Sequence, residues 1–113
     1  MDFKIKFTFD QRLDESTRIT SKYKTRIPII VKSHNNSVKL NKYKYLVPSD
    51  LTVGQFLIVL RNRTTIKSDE AMYLFFNNSL ESTSANIASV FKKHKDKDGF
   101  MYAVLSLEST FGC

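Results

Sequence analysis

Between Asp10 and Tyr23 nearly every position is polar, and Leu13, Ile19 and Tyr23 supply only a thin apolar stripe at near-helical spacing. The pattern predicts a polar helix, with Asp10 available as its N-cap, that docks onto something larger. The next apolar positions, Ile27, Ile29, Ile30 and Val31, are all β-branched and surround Pro28. They predict a strand, and the N–H that Pro28 lacks points to an edge position or a strand start. His34-Asn35-Asn36-Ser37 reads as a turn, and Tyr43 to Val47 as a second strand stopped by Pro48.

Thr52-Val53-Gly54-Gln55 has the form of a capping box, with Thr at the N-cap and Gln three residues later. Val53, Phe56, Leu57, Val59 and Leu60 follow at helical spacing, and Arg61 and Arg63 place cations where the helix dipole is negative. Ala71 to Phe76 predicts a short apolar strand, and Asn77-Asn78-Ser79 a turn. A further helix is expected to start at Ser82-Thr83-Ser84, with Ile87, Val90, Phe91 and His94 on one face and Lys92, Lys93 and Lys95 near its end. Asp98-Gly99 signals a turn, and Phe100 to Leu105 a final strand.

The predicted order is helix, strand, strand, helix, strand, helix, strand. The class is α+β, and the order fits a ubiquitin-like β-grasp: a four-stranded mixed sheet packed on a central helix, with an N-terminal helical extension. The short link between the first two strands requires them to be antiparallel. The near-continuous apolar run of the last strand suits a central position parallel to the first. The expected division is an extension over 1–24, a core over 25–107 and a polar tail over 108–113 within a single domain.

Composition narrows the function. The chain has 113 residues, 42% apolar and 26% charged, with Gly 3 and Pro 2, which is globular composition on the scale of one domain. No apolar run approaches the ~20 residues of a membrane span, and the alternating Met1–Lys6 segment lacks the apolar stretch of a secretory signal. One cysteine excludes an internal disulfide, and with His34 and His94 it makes no plausible zinc site. His94 on an apolar face is expected to be packed or hydrogen-bonded. No set of nucleophile, base and orienting group is evident, so neither catalysis nor a cofactor is expected.

The net charge of +7 is one-sided. Residues 1–48 hold eleven basic and four acidic side chains, whereas residues 49–113 hold seven of each. Ser16 to Ser49 contains no acid but does contain Arg18, Lys22, Lys24, Arg26, Lys32, Lys39, Lys42 and Lys44. Such a field favours an anionic partner, or serves only as a solvated face. The aromatic interleaving of RNA-binding motifs is missing and no helix carries a dense basic stripe, so nucleic acid is not the expected partner.

The tail Glu108-Ser109-Thr110-Phe111-Gly112-Cys113 is polar, with Gly next to last. Glycine has no Cβ to obstruct attack at its own carboxyl carbon and accepts any backbone conformation, which suits a carboxylate passed between enzymes. Tyr23–Pro28 (Tyr-Lys-Thr-Arg-Ile-Pro), Lys44–Phe56 (Lys-Tyr-Leu-Val-Pro-Ser-Asp-Leu-Thr-Val-Gly-Gln-Phe), His94–Phe100 (His-Lys-Asp-Lys-Asp-Gly-Phe) and Thr110-Phe111-Gly112 closely resemble the autophagy-related protein 8 family. That family includes the GABA-A-receptor-associated proteins and microtubule-associated protein light chain 3. The resemblance runs from about Phe9 onward. It departs at the shorter His34–Leu40 turn, at Leu107 where Gly is common, and before Phe9.

The resemblance implies a two-helix N-terminal extension and a non-enzymatic ubiquitin-like modifier of autophagy. A processing cysteine protease would cut between Gly112 and Cys113, beside Phe111, and would grip Tyr73 and Phe75. Activating and conjugating enzymes would then transfer Gly112 to phosphatidylethanolamine. The protein would be cytoplasmic when free and lie on autophagosome and vacuolar or lysosomal membranes when lipidated. An unconjugated adaptor, or a modifier of protein lysines, is the alternative. The family also binds cargo receptors bearing aromatic-x-x-aliphatic motifs. Its aromatic pocket is matched by Glu15, Ile19, Pro28, Ile30, Lys44, Leu46 and Phe100, and its aliphatic pocket by Tyr45, Val47, Pro48, Leu51, Phe56 and Val59. The residues alone leave plainer roles open. Leu51, Phe56 and Val59 suit a core, Ile19 and Leu46 a helix–sheet contact, and Glu15 a helix surface. Tyr73 and Phe75 could simply pack, and Arg61 and Arg63 could contact partners or simply neutralise a helix end.

Overall fold

The computed structural model describes residues 2–34, 38–64 and 70–108. In chain order the elements are α1 (Phe3–Lys6), α2 (Phe9–Lys22), β1 (Arg26–Ser33), β2 (Lys44–Pro48), α3 (Val53–Asn62), β3 (Tyr73–Phe76), β4 (Ser79–Leu80), α4 (Ile87–His94) and β5 (Met101–Ser106). The strands form one mixed sheet in the order β2-β1-β5-β3-β4. β1 runs antiparallel to β2 and parallel to β5, and β3 is antiparallel to both β5 and β4. This is the expected grasp, with the last strand central and parallel to the first.

Strand alternation gives the sheet two buried faces. Ile27, Ile29 and Val31 of β1, with Tyr45, Val47, Leu74, Phe76, Met101, Ala103 and Leu105, pack against Val53, Phe56 and Leu60 of α3 and Ile87 and Val90 of α4. The other face carries Ile30 and Phe100, covered by Phe3 of α1, with Phe7, Ile19 and Tyr102 packed around them. The thin stripe of α2 is thus completed by α1.

Several boundaries differ from expectation. The N-cap of α2 is Thr8, not Asp10. The Gln11 N–H donates to Thr8 Oγ1 at 3.2 Å and the Thr8 N–H to Gln11 Oε1 at 2.9 Å, so Thr8 satisfies the donors and Asp10 sits inside the first turn. Pro28 lies neither on an edge nor at a strand start, because β1 has neighbours on both sides. The Val31 N–H donates to Tyr43 O on the β2 side, so by alternation Pro28 turns its missing N–H toward β5. The pairing of β1 with β5 begins only at Ile29↔Met101, and no ladder bond is lost. The sheet gains a fifth strand, Ser79–Leu80, because Asn77 and Asn78 adopt φ of 50° and 63° and close a two-residue hairpin. The segment Ser82–Ser84 does not start a helix. Asn86 caps α4 instead, accepting from the Ala88 N–H at 2.8 Å. Among the described residues no helix is long and apolar enough to cross a membrane.

The N-terminal helices are fastened to the turn before β5. Asp98, fully buried, accepts from Arg12 Nη1 at 2.7 Å, from the Phe100 N–H at 2.9 Å and from the Tyr102 hydroxyl. Burial and the Asp98 carboxylate push the Tyr102 phenol well above its ordinary pKa, so it remains a proton donor. Ser16 Oγ donates to Asp98 O at 2.5 Å. Gly99 makes this approach possible: its φ is +89°, and a Cβ there would lie 2.2 Å from Ser16 Oγ.

Candidate peptide-binding edge

β2 is the outer strand of the sheet, and among the described residues its side away from β1 has no neighbouring strand. The edge is built from the five residues Lys44–Pro48. Its alternation is strict: Tyr45 and Val47 are buried, while Lys44, Leu46 and Pro48 are half-buried. An extended segment laid along such an edge meets unpaired backbone donors and acceptors, and its side chains fall alternately on the two faces of the sheet.

On the face of α3, all six residues assigned to the aliphatic pocket converge. Tyr45, Val47, Pro48, Leu51, Phe56 and Val59 line one cavity of about 290 Å³. The floor is Phe56, which meets the Tyr45 ring edge-on at 5.8 Å. The plain core role of Phe56 and its role as floor therefore coincide. Burial raises the Tyr45 phenol pKa, with nearby Arg63 opposing the shift, and the neutral hydroxyl donates to Lys42 O at 3.1 Å. Leu46, assigned to the other pocket, also lines this cavity. The sequence reading missed its basic rim of Arg26, Lys42 and Arg63. Arg26 and Lys42 belong to the acid-free run, which is the available signal, and Arg63 is the helix-end cation for which a partner contact is the other expectation.

On the opposite face the aromatic set also assembles. Pro28 pairs with Leu46 and Ile30 with Lys44 across β1 and β2. Ile19 packs against Ile30 and Phe100 from α2. Phe100 is 0% exposed, packed with Phe3 and Ile30, and precedes β5 instead of starting it. Glu15 and Lys44 form an ion pair of 2.6 Å that bridges α2 to β2 over this ground.

Tyr73 and Phe75 share the face of β3 opposite Leu74 and Phe76, with Tyr73 half-buried and Phe75 buried. Phe111, Gly112 and Cys113 lie outside the described residues. His94 is bonded at both ring nitrogens, to Glu81 Oε2 at 2.7 Å and Asn77 Nδ2 at 3.2 Å, as expected of a packed histidine.

The family model described as Autophagy protein Atg8 ubiquitin like matches residues 11–112. Autophagy-related protein 8 of Vanderwaltozyma polyspora is 46% identical over 112 residues, covering 97% of this chain and 95% of that protein. Autophagy-related protein 8a of Arabidopsis thaliana is 45% identical, covering 97% and 92%. The crystal structure of Trypanosoma brucei ATG8 superposes with a TM-score of 0.90 at 38% identity, over 99% of this chain and 98% of that one. With its sheet, helices and edge in that arrangement, the chain belongs to the Atg8 family of ubiquitin-like autophagy proteins.

Proposed function

We propose that this protein is a conjugated modifier and receptor platform, not an enzyme. A cysteine protease removes Cys113, activating and conjugating enzymes carry the Gly112 carboxyl as a thioester, and the amine of phosphatidylethanolamine attacks it to form an amide. Two acyl chains then satisfy the two-signal requirement for stable membrane anchoring. The free protein is cytoplasmic, and the conjugate resides on autophagosome and vacuolar or lysosomal membranes. Cargo receptors bind through aromatic-x-x-aliphatic segments that add to β2. The observation that carries this reading is the unpaired β2 edge, flanked on one face by the aliphatic cavity and on the other by the Ile19, Ile30, Lys44 and Leu46 ground.

Two variants test the two halves. Gly112→Ala is expected to abolish a membrane-pelleting form in cells while leaving peptide binding intact. Leu46→Ala is expected to weaken an aromatic-x-x-aliphatic peptide by roughly 1–2 kcal/mol, the scale of a lost buried aliphatic contact, while leaving conjugation intact. A pelleting form that persists in the first variant overturns the conjugation half. An unchanged titration of the second overturns the binding half.

A further inference from the structure

The last carbonyls of a helix have no partner within it and need one from elsewhere. At the end of α4 the His94 carbonyl finds its partner in Asn77, whose Nδ2 donates to it at 3.3 Å. Asn77 and Asn78 close the β3–β4 hairpin at positive φ, so this bond ties the hairpin tip to the helix end. The same Nδ2 lies 3.2 Å from His94 Nδ1. A carbonyl only accepts, so it holds the nitrogen side of the Asn77 amide toward His94. The second N–H of that nitrogen then points at Nδ1, which must present a lone pair. The ring proton sits on Nε2 and is donated to Glu81 Oε2 at 2.7 Å.

Only the neutral imidazole fits this arrangement. An imidazolium carries N–H on both nitrogens, and a proton on Nδ1 would face the Asn77 N–H across 3.2 Å. Turning the amide over brings Oδ1 to the new donor but sets that oxygen against the His94 carbonyl, acceptor against acceptor. Asn77 can therefore serve the charged ring or the helix end, not both. We propose that this cluster is a proton-operated latch: a proton taken from solvent by His94 Nδ1 at mildly acidic pH releases the His94 carbonyl from Asn77 and loosens the hairpin tip from α4.

The groups around the buried ring set its balance. Glu81 faces Nε2 and favours the imidazolium, and Lys93 shares that carboxylate at 3.2 Å and weakens its pull. Phe76 of β3 stacks on the ring at an interplanar angle of 21° and offers no charge. Lys95, next on the chain, is drawn over the Phe91 ring at 5.7 Å. Attraction at one nitrogen is thus set against a donor that must yield at the other. Histidine is the side chain whose charge ordinarily changes in the mildly acidic range.

The test is NMR of the whole chain from about pH 7.5 to about pH 5, following the His94 ring nitrogens and the Asn77 side-chain amide together. The Asn77 resonances are expected to shift with the same midpoint as His94. The backbone amides of the Phe76–Ser79 pair are expected to exchange about fivefold faster on the acid side, after correction for intrinsic rates. Asn77→Gly keeps a residue suited to positive φ and removes the opposing donor. It is expected to raise the proton affinity of His94 about threefold to tenfold and to leave hairpin exchange fast across the whole range. Glu81→Gln leaves Asn77 in place and is expected to move the His94 and Asn77 transitions together to lower pH, which keeps the test open should Asn77→Gly fail to fold. Asn77 resonances that stay still through the His94 midpoint overturn the latch. So does a His94 that remains neutral down to about pH 5, an unchanged midpoint in Asn77→Gly, or two transitions that separate in Glu81→Gln.

Discussion

The imidazole of His94 sits between two fixed partners. Asn77 Nδ2 donates to its Nδ1 and also to the His94 carbonyl at 3.3 Å, which leaves the proton on Nε2, donated to Glu81. Phe76 stacks on the ring at 6.1 Å. Every polar atom of the ring is committed to tying the β3–β4 hairpin to α4. The hydrogen bond from His94, followed by that from Lys93, holds the Glu81 carboxyl below its ordinary value of 4.5. A group whose folded pKa is depressed contributes stability that is fully present above its unfolded pKa and is lost as pH falls through the folded one. Glu81→Gln is therefore expected to melt below wild type at neutral pH, with the gap closing as pH drops beneath about 4.5. Melting curves of both proteins from pH 7 to pH 3 check this, and a gap that stays constant across that range contradicts it. The role of His94 was legible from its apolar helix face. That of Asp98 was not: its partner Arg12 lies far away in sequence, and only the folded chain brings them within 2.7 Å.

The same contrast between local and distant information governs the elements. The capping box of α3 was readable because both halves lie within four residues, and it forms with a Gln55 N–H to Thr52 Oγ1 distance of 3.1 Å. The apolar runs of β1, β2 and β5 and their pairing followed from β-branched composition and from the short link. Pro28 misled because its cost depends on where β5 begins, a property of the neighbour. The residues of the two pockets came from resemblance, since their convergence joins α2, β1, β2 and α3. Asp10 misled because a stronger box, Thr8 with Gln11, lies just before it. This yields a paired prediction. Thr8→Ala is expected to lower the stability of the protein by about 1 kcal/mol, the usual value of a cap. Asp10→Ala, which removes only a first-turn acid, is expected to change it by no more than about 0.5 kcal/mol. Urea unfolding of the two variants distinguishes them, and equal losses would show that Thr8 is not the working cap.

Across the whole molecule, three cations of the basic first half, Arg26, Lys42 and Lys44, come to the exposed edge of β2, where Arg63 joins them. Arg26, Lys42 and Arg63 rim the aliphatic cavity and Lys44 stands on the opposite face, whereas Glu15 is the acid paired there. The fold thus gathers cations that are scattered in sequence around one strand edge. Charges at such a rim act over a distance comparable to the Debye length, about 10 Å at 0.1 M salt, and speed encounter more than they tighten the final contact. A peptide with acids before its aromatic anchor should gain from this field, and one with neutral residues there should not. Raising salt from 50 mM to 500 mM is expected to weaken the acid-flanked peptide by about fivefold to tenfold, mostly through a slower association rate. The neutral-flanked peptide, which relies on the apolar pockets, is expected to change by less than about twofold. Stopped-flow association measured for both peptides across that range decides the matter, because parallel salt slopes would mean that the basic half is only a solvated surface.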